Sequence, residues 1–235
     1  MKHIWNLPNI LTMLRVIAVP FFIYLLFDHS FTGRLIALLL FAFASITDFL
    51  DGYLARKWRQ ETEFGKFLDP LADKALVLGA FVTFIFLSDQ VQIWMVLCII
   101  GRDMLLTLMR SIAIRRGTSL RTSIFGKLKT AFQMLSIVLI LLSFLTVSYR
   151  ERTAINNIYY EASLRGYDPS QVAYDHLLRF MNGEIENVYY GLAAFVPYYL
   201  MLFTTFLTVV SGLRYLLTNY KLFIPGELPG KYKNR

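Results

Sequence analysis

The chain has 235 residues, of which 56% are hydrophobic and only 17% charged, with 20 Phe, 14 Tyr and a mean hydropathy of +0.50. Soluble domains carry roughly 25% charged residues, so this composition excludes an ordinary soluble domain and indicates a membrane protein. The formal charge of +8 raises nucleic acid as a partner, but so apolar a chain offers no broad basic face, and the single Cys98 permits no internal disulfide.

The first stretch, MKHIWNLPNILTMLRVIAVPFFIYLLFDHS, lacks a small-x-small cleavage site and is followed by further apolar segments. It reads as a retained first helix rather than a signal peptide. A helix needs about 20 largely apolar residues to cross the hydrocarbon core. Six segments meet or approach this, at about 8–27, 32–56, 70–88, 91–113, 127–147 and 188–217. Residues 130–149 and 187–213 contain no charge at all. The first four segments hold Arg15, then Asp48, Asp51 and Arg56, then Asp73 and Lys74, then Arg102, Asp103 and Arg110. A charge facing lipid at the bilayer centre costs roughly 2.5 kcal/mol or more, so these side chains are expected to face protein, a polar cavity or the headgroup layer.

Basic residues set the orientation. Lys57, Arg59 and Lys66 follow the second segment, Arg115, Arg116, Arg121, Lys127 and Lys129 follow the fourth, and Lys221, Lys231, Lys233 and Arg235 lie in the tail. The opposite loops are short and poor in Lys and Arg, which predicts both termini on the cytoplasmic side. Residues 150–187 then lie on the far side, with four basic and six acidic residues and either an amphipathic helix around 170–181 or an ordinary loop. The expectation is an all-α, polytopic integral membrane protein with six transmembrane helices. It forms one membrane-embedded domain over 1–235, with a non-cytoplasmic insertion at about 150–187.

The chemistry-bearing stretch is SITDFLDGYLARKWRQETEFGKFLDPLADKA, residues 45–75. Asp48 and Asp51 are three apart, and Asp69 and Asp73 four apart, so each pair shares a helical face. The polar segment between them, with Gly65, is long enough to turn the chain back and bring the pairs together. Any one of these aspartates alone would read as an ordinary charge at a helix end. Four together repel unless a cation lies between them, and oxygen ligands without histidine or cysteine favour Mg²⁺ or Mn²⁺ over zinc. Two such ions are a recurring device for phosphoryl chemistry. Gly52 and Ala55 keep the neighbouring face shallow enough for a pyrophosphate or sugar, and Arg56 offers a fork to phosphate.

The stretch DFLDGYLARKWRQETEFGKFLDPLAD fits D-x2-D-G-x2-A-R-x8-G-x3-D-x3-D at Asp48, Asp51, Gly52, Ala55, Arg56, Gly65, Asp69 and Asp73. It resembles the signature of the CDP-alcohol phosphatidyltransferases. LPNILTMLRVIAVPFF, DPLADKALVLGAF, GRDMLLTLMRSIAIRRG and FGKLKTAFQM extend the resemblance to the bacterial branch that uses sn-glycerol 3-phosphate. One departure is that Arg102 is followed by Asp103 where that branch is associated with an Arg-Glu pair; the other is the long segment 150–187.

The resemblance implies a six-helix membrane enzyme, a homodimer, whose site opens to the cytoplasmic leaflet. It implies that Asp48, Asp51 and Asp69 hold two metal ions and that Asp73 touches the second ion and serves as general base. Gly52, Ala55 and Arg56 would line the cytidine diphosphate pocket, with Thr47 and Asn9 nearby and Gly65 in the motif. The substrates would be CDP-diacylglycerol and sn-glycerol 3-phosphate, with CMP released. The acceptor's phosphate needs a clamp, for which Arg102, Arg110, Lys127 and Lys129 are the candidates. The motif does not separate this acceptor from phosphatidylglycerol, serine or inositol, and a divalent-cation transporter is the rival of another class. Trp5, Trp58 and Trp94 fall near the expected interfaces, and His3, His29 and His176 carry no assigned role.

Overall fold

The computed structural model describes the backbone of residues 7–58, 63–115 and 124–219, with side chains described outside 7–9, 48–58, 63–71, 73, 114–115, 124–125 and 127. Among the described residues the elements are all helices: α1 Leu7–Phe27, α2 Phe31–Trp58, α3 Glu63–Leu87, α4 Ile93–Arg115, α5 Ile124–Thr146, α6 Tyr149–Leu164, α7 Pro169–Met181 and α8 Val188–Thr218. Six of them occupy the six apolar segments. Three of the six contain stretches long and apolar enough to cross a membrane, Ile10–Phe27, Leu128–Thr146 and Val188–Thr218, while Phe31–Thr47 and Lys74–Leu87 are shorter apolar helices.

One boundary differs from expectation. α3 begins at Glu63, not near residue 70, so Gly65 lies in its first turn and Pro70 within the helix. A proline removes one intrahelical hydrogen bond, and the helical run on both sides of Pro70 carries the chain through that loss.

The bundle is built around α8, whose 31 residues give a length of about 46 Å. It packs against α4, α5 and α7, while α1 packs against α2 and α3, and α2 against α5. The buried face of α8 is lined largely by small residues, among them Gly191, Ala194, Thr204, Thr208, Ser211 and Gly212. Small side chains let helix backbones approach where lipid gives no hydrophobic drive between helices. Ser136 and Thr204 share a hydrogen bond of 2.6 Å across α5 and α8. On the other side of the bundle Phe22, Phe41, Phe81 and Phe84 are fully buried. Outward, Ile17, Tyr24, Phe86, Leu97, Leu108 and Phe206 are each at least 60% exposed, an apolar surface suited to acyl chains.

Pro197 lies inside α8 and has no N–H to give the carbonyl of Ala193. Gln90, buried in the loop between α3 and α4, donates from Nε2 to Ala193 O at 3.0 Å and also to Ala194 O. The Tyr159 hydroxyl of α6 donates to Ala194 O at 2.7 Å. Neighbouring elements thus satisfy the freed backbone group, as a membrane interior requires.

Residues 150–187 form two helices rather than one helix or a loop. Ser148 and Glu151 make a capping box at the start of α6, and Asp168 and Gln171 make one at α7, with Pro169 at the first helical position. This pair is fastened to helix ends. Arg152 donates from Nη2 to Leu87 O at 3.0 Å, Asn156 donates to the same carbonyl, and the Arg152 guanidinium lies 3.8 Å over the Phe144 ring. Burial, with Arg34 nearby, holds the Arg152 guanidinium down to about 10. Arg34 in turn donates from Nη1 to Phe144 O and Val147 O at the end of α5. All of these contacts lie at the end of the bundle opposite the aspartate motif.

Candidate active site

Asp48, Asp51, Gly52, Ala55 and Arg56 occupy the last three turns of α2, and Gly65, Asp69 and Asp73 the first three of α3. Both helices run unbroken through their part of the motif, so the spacings of three and four hold as one-face spacings. α2 and α3 touch, and only residues 59–62 separate them, which sets both halves of the motif at the same end of the bundle. The side chains of these eight residues, and those of Asn9 and Lys127, lie outside the described residues. Among the described residues no group of three or more His, Cys, Asp or Glu could hold a metal ion. Thr47, one residue before the motif, is buried, and its hydroxyl donates to Ala44 O at 2.9 Å.

A second cluster stands beside the motif. Lys74, the residue after Asp73, hydrogen-bonds from Nζ to Thr107 Oγ1 on α4. That hydroxyl donates to Asp103 O at 2.7 Å, one turn back. The Asp103 carboxylate accepts from Lys129 Nζ of α5 at 2.7 and 2.9 Å and from Arg102 Nη1 at 3.1 Å. Arg102 Nη2 donates to Ser211 Oγ of α8 at 2.9 Å. Four helices therefore meet in one polar network. Lys129 is buried, with a side chain 4% exposed, whereas those of Arg102 and Asp103 are 15% and 14% exposed.

Arg110 lies two turns beyond Arg102 on α4, is exposed, and stands within electrostatic reach of the Tyr215 hydroxyl. The structure thus gathers Arg102 and Lys129, and brings Arg110 to the same half of the bundle. Arg15 is also turned inward, 2% exposed. The charges inside apolar segments are buried or partly buried wherever their side chains are described, apart from Arg110 and Arg214, which are exposed near the ends of their helices.

Sequence reasoning missed the partners Ser211, Gly212, Thr107 and Lys74. Gly212 is required by close approach: a Cβ there would stand 2.8 Å from Arg102 Cγ. The signal available was the small polar pair Ser-Gly in the charge-free run 187–213, but which helix it faces is a tertiary fact.

The match to known proteins follows the same residues. Residues 5–161 match the family model described as CDP-alcohol phosphatidyltransferase. A protein of Haemophilus influenzae named CDP-diacylglycerol-glycerol-3-phosphate 3-phosphatidyltransferase is 38% identical over 138 residues, covering 57% of this chain and 74% of that protein. Proteins of the same name are 36% identical over 143 residues in Salmonella typhimurium, covering 58% of this chain and 77% of the relative. In Rickettsia typhi the identity is 39% over 137 residues, covering 58% and 76%.

Proposed function

The chain belongs to the CDP-alcohol phosphatidyltransferase family, and on that premise we propose that it transfers the phosphatidyl group of CDP-diacylglycerol to sn-glycerol 3-phosphate, giving phosphatidylglycerophosphate and CMP. The observation that carries the acceptor choice is the junction at Lys74 and Thr107, which links the residue after Asp73 to the polar network of Arg102, Asp103 and Lys129. A phosphorylated alcohol needs both in one place: a base for its hydroxyl and cations for its phosphate.

Asp48, Asp51, Asp69 and Asp73 fit a hard divalent cation, because they supply only oxygen donors, on adjoining ends of two touching helices. Mg²⁺ or Mn²⁺ bound there would draw charge off the pyrophosphate of CDP-diacylglycerol. Gly52 and Ala55 leave room for the cytidine diphosphate, and Arg56 takes a phosphate oxygen. Asp73 accepts the proton of the acceptor's primary hydroxyl as that oxygen bonds to the phosphatidyl phosphorus. The bond from phosphorus to the CMP oxygen breaks, and CMP leaves with the electron pair. Arg102 and Arg110 hold the acceptor's phosphate, and Lys127 and Lys129, the other two cations of the expected clamp, open α5 at the same end of the bundle.

In this reading α1 to α5 and α8 all cross the membrane of a bacterial cell, the inner membrane. Both termini and the motif then face the cytoplasm, where glycerol phosphate is dissolved, and the α6–α7 pair lies outside. The working unit is a homodimer.

The test is CMP release from CDP-diacylglycerol by the purified chain in detergent, with Mg²⁺ or Mn²⁺. The acceptors compared are sn-glycerol 3-phosphate, phosphatidylglycerol, serine and inositol. Metal-dependent release with glycerol phosphate alone is expected. Release with another acceptor keeps the chemistry and changes the substrate, while metal flux into vesicles without CMP release replaces the enzyme with a transporter.

A further inference from the structure

Three charged side chains, Arg102, Asp103 and Lys129, lie in contact, yet their surroundings divide them into different kinds of group. Lys129 is 4% exposed and spends two hydrogen bonds on one carboxylate. A buried ammonium so engaged is strongly held, because separating it from its counter-ion leaves two uncompensated charges in a medium of low dielectric. Arg102 is held differently. Nη1 meets Asp103, Nη2 meets Ser211, and its stem lies against the backbone at Gly212. Each of these nitrogens carries two hydrogens and has one partner described, and Nε has no hydrogen-bond partner among the described residues. The guanidinium is fixed in orientation and still has donors to give.

Resting on the glycerol phosphate reading above, we propose that Asp103 is a positioning residue: it neutralises Lys129 and, with Ser211, aims the Arg102 guanidinium at the acceptor's phosphate, so that Lys129 is a counter-ion and not a phosphate ligand. The carboxylate offsets the charge of Lys129, leaving the trio with one net positive charge, and the Arg102 guanidinium keeps N–H donors beyond those its two described partners take. A planar fork already oriented loses little freedom on meeting a phosphate oxygen. The backbone of Asp103 is tied through Thr107 to Lys74 beside Asp73, so the aim of Arg102 and the place of the general base are set by one chain of contacts.

A charge count alone predicts the opposite behaviour. If Asp103 merely masked a phosphate-binding lysine, Asp103→Asn would add positive charge and tighten acceptor binding. The proposal predicts that Asp103→Asn raises the KM for sn-glycerol 3-phosphate about tenfold or more, since the charge-assisted hydrogen bonds from Lys129 and Arg102 are weakened. The KM for CDP-diacylglycerol stays near its original value, and kcat changes far less than the acceptor KM. Lys129→Gln raises the acceptor KM as well, by leaving Asp103 to pull on Arg102. The double variant Asp103→Asn with Lys129→Gln is no worse than the poorer single variant, because the two residues act as one unit.

The experiment is a set of steady-state acceptor titrations on the full chain in detergent for these three variants, Asp103→Glu and Ser211→Ala. Melting temperatures show which variants are folded. Asp103→Glu, which keeps the carboxylate, is expected to restore the acceptor KM to within about threefold of the original. Ser211→Ala, which touches no charge, is expected to raise it severalfold and keeps the proposal testable if the charge variants do not fold. An acceptor KM that falls or stays level in Asp103→Asn overturns the proposal, as does a double variant whose defect is the product of the two single defects. Glycerol phosphate transfer by the unaltered chain without this KM pattern overturns the positioning role alone. CMP release only with a non-phosphorylated alcohol overturns the acceptor reading itself.

Discussion

Gln90 supplies the hydrogen bond that Pro197 withholds: the carbonyl of Ala193, four residues before the proline, takes Gln90 Nε2 at 3.0 Å. The glutamine is 2% exposed, and its own Oε1 is met by Ser88 at 3.2 Å, so each end of the amide is engaged. Gln90→Leu therefore leaves buried carbonyls short of a donor and is expected to destabilise the protein by about 1–3 kcal/mol. In the Pro197→Ala background, where residue 197 regains its N–H, the same change should cost less. Thermal unfolding of the two singles and the double in detergent measures the difference; equal costs in both backgrounds would show that Gln90 serves some other need.

The start of α6 depends on the Ser148 hydroxyl, which accepts from Glu151 N while the Glu151 carboxylate accepts from Ser148 N at 2.8 Å. Ser148→Ala is expected to lower the stability of this helix by about 1 kcal/mol. Amide exchange in residues 149–164 reads it, and the same change should leave exchange in α4 and α5 unaltered.

His176 is buried against Tyr159 in a stacked arrangement, and burial, helped by Arg179 and opposed by Asp175, lowers its affinity for a proton. The opened form of the α6–α7 pair binds that proton near the ordinary histidine value of about 6.5, and the closed form only at lower pH. Its stabilising contribution is complete above that value and is lost as pH falls through the window below it. Protection against amide exchange across residues 169–181, corrected for the intrinsic pH dependence of exchange, should therefore fall between pH 7 and 5, and His176→Phe should abolish that fall. The hydrogen bonds from Ser170 hold Asp168 below the usual carboxylate range, so its cap is lost only at still lower pH.

Asp73→Asn is expected to reduce kcat by about 10²–10⁴, the range of a positioned general base, with the melting temperature within a few degrees of the original. Quantitative CMP release at high enzyme concentration is the check. A variant that keeps full activity would move the base elsewhere.

The helices of the apolar segments were legible because hydropathy is a local property, and α1, α2, α4, α5 and α8 begin and end within about three residues of the predicted bounds. α6 was missed because its residues are mixed in polarity, although Ser148 and Glu151 already spelled a capping box in the sequence. That Asp48 and Asp51 end one helix and Asp69 and Asp73 begin the next was legible from spacing, because both helices run unbroken through the motif. The network of Arg102, Asp103, Lys129 and Ser211 was not, since it joins residues up to 109 positions apart, and no periodicity along one helix reports which neighbour it meets. From the sequence, Lys129 reads equally as an orientation-setting basic residue and as a candidate for the acceptor's phosphate. Only packing reveals that it is sealed inside.

One end of α8 depends on parts of the chain made before it. Tyr159 and Gln90 meet α8 at the end opposite the motif, Tyr159 from α6 and Gln90 from the loop between α3 and α4. Both donors are thus made before the carbonyls of Ala193 and Ala194 that they meet, Gln90 serving both and Tyr159 the second. When α8 is made, the donors that fix its first half already stand in place, and the same rigid helix carries Ser211 and Gly212 to Arg102 at its other end.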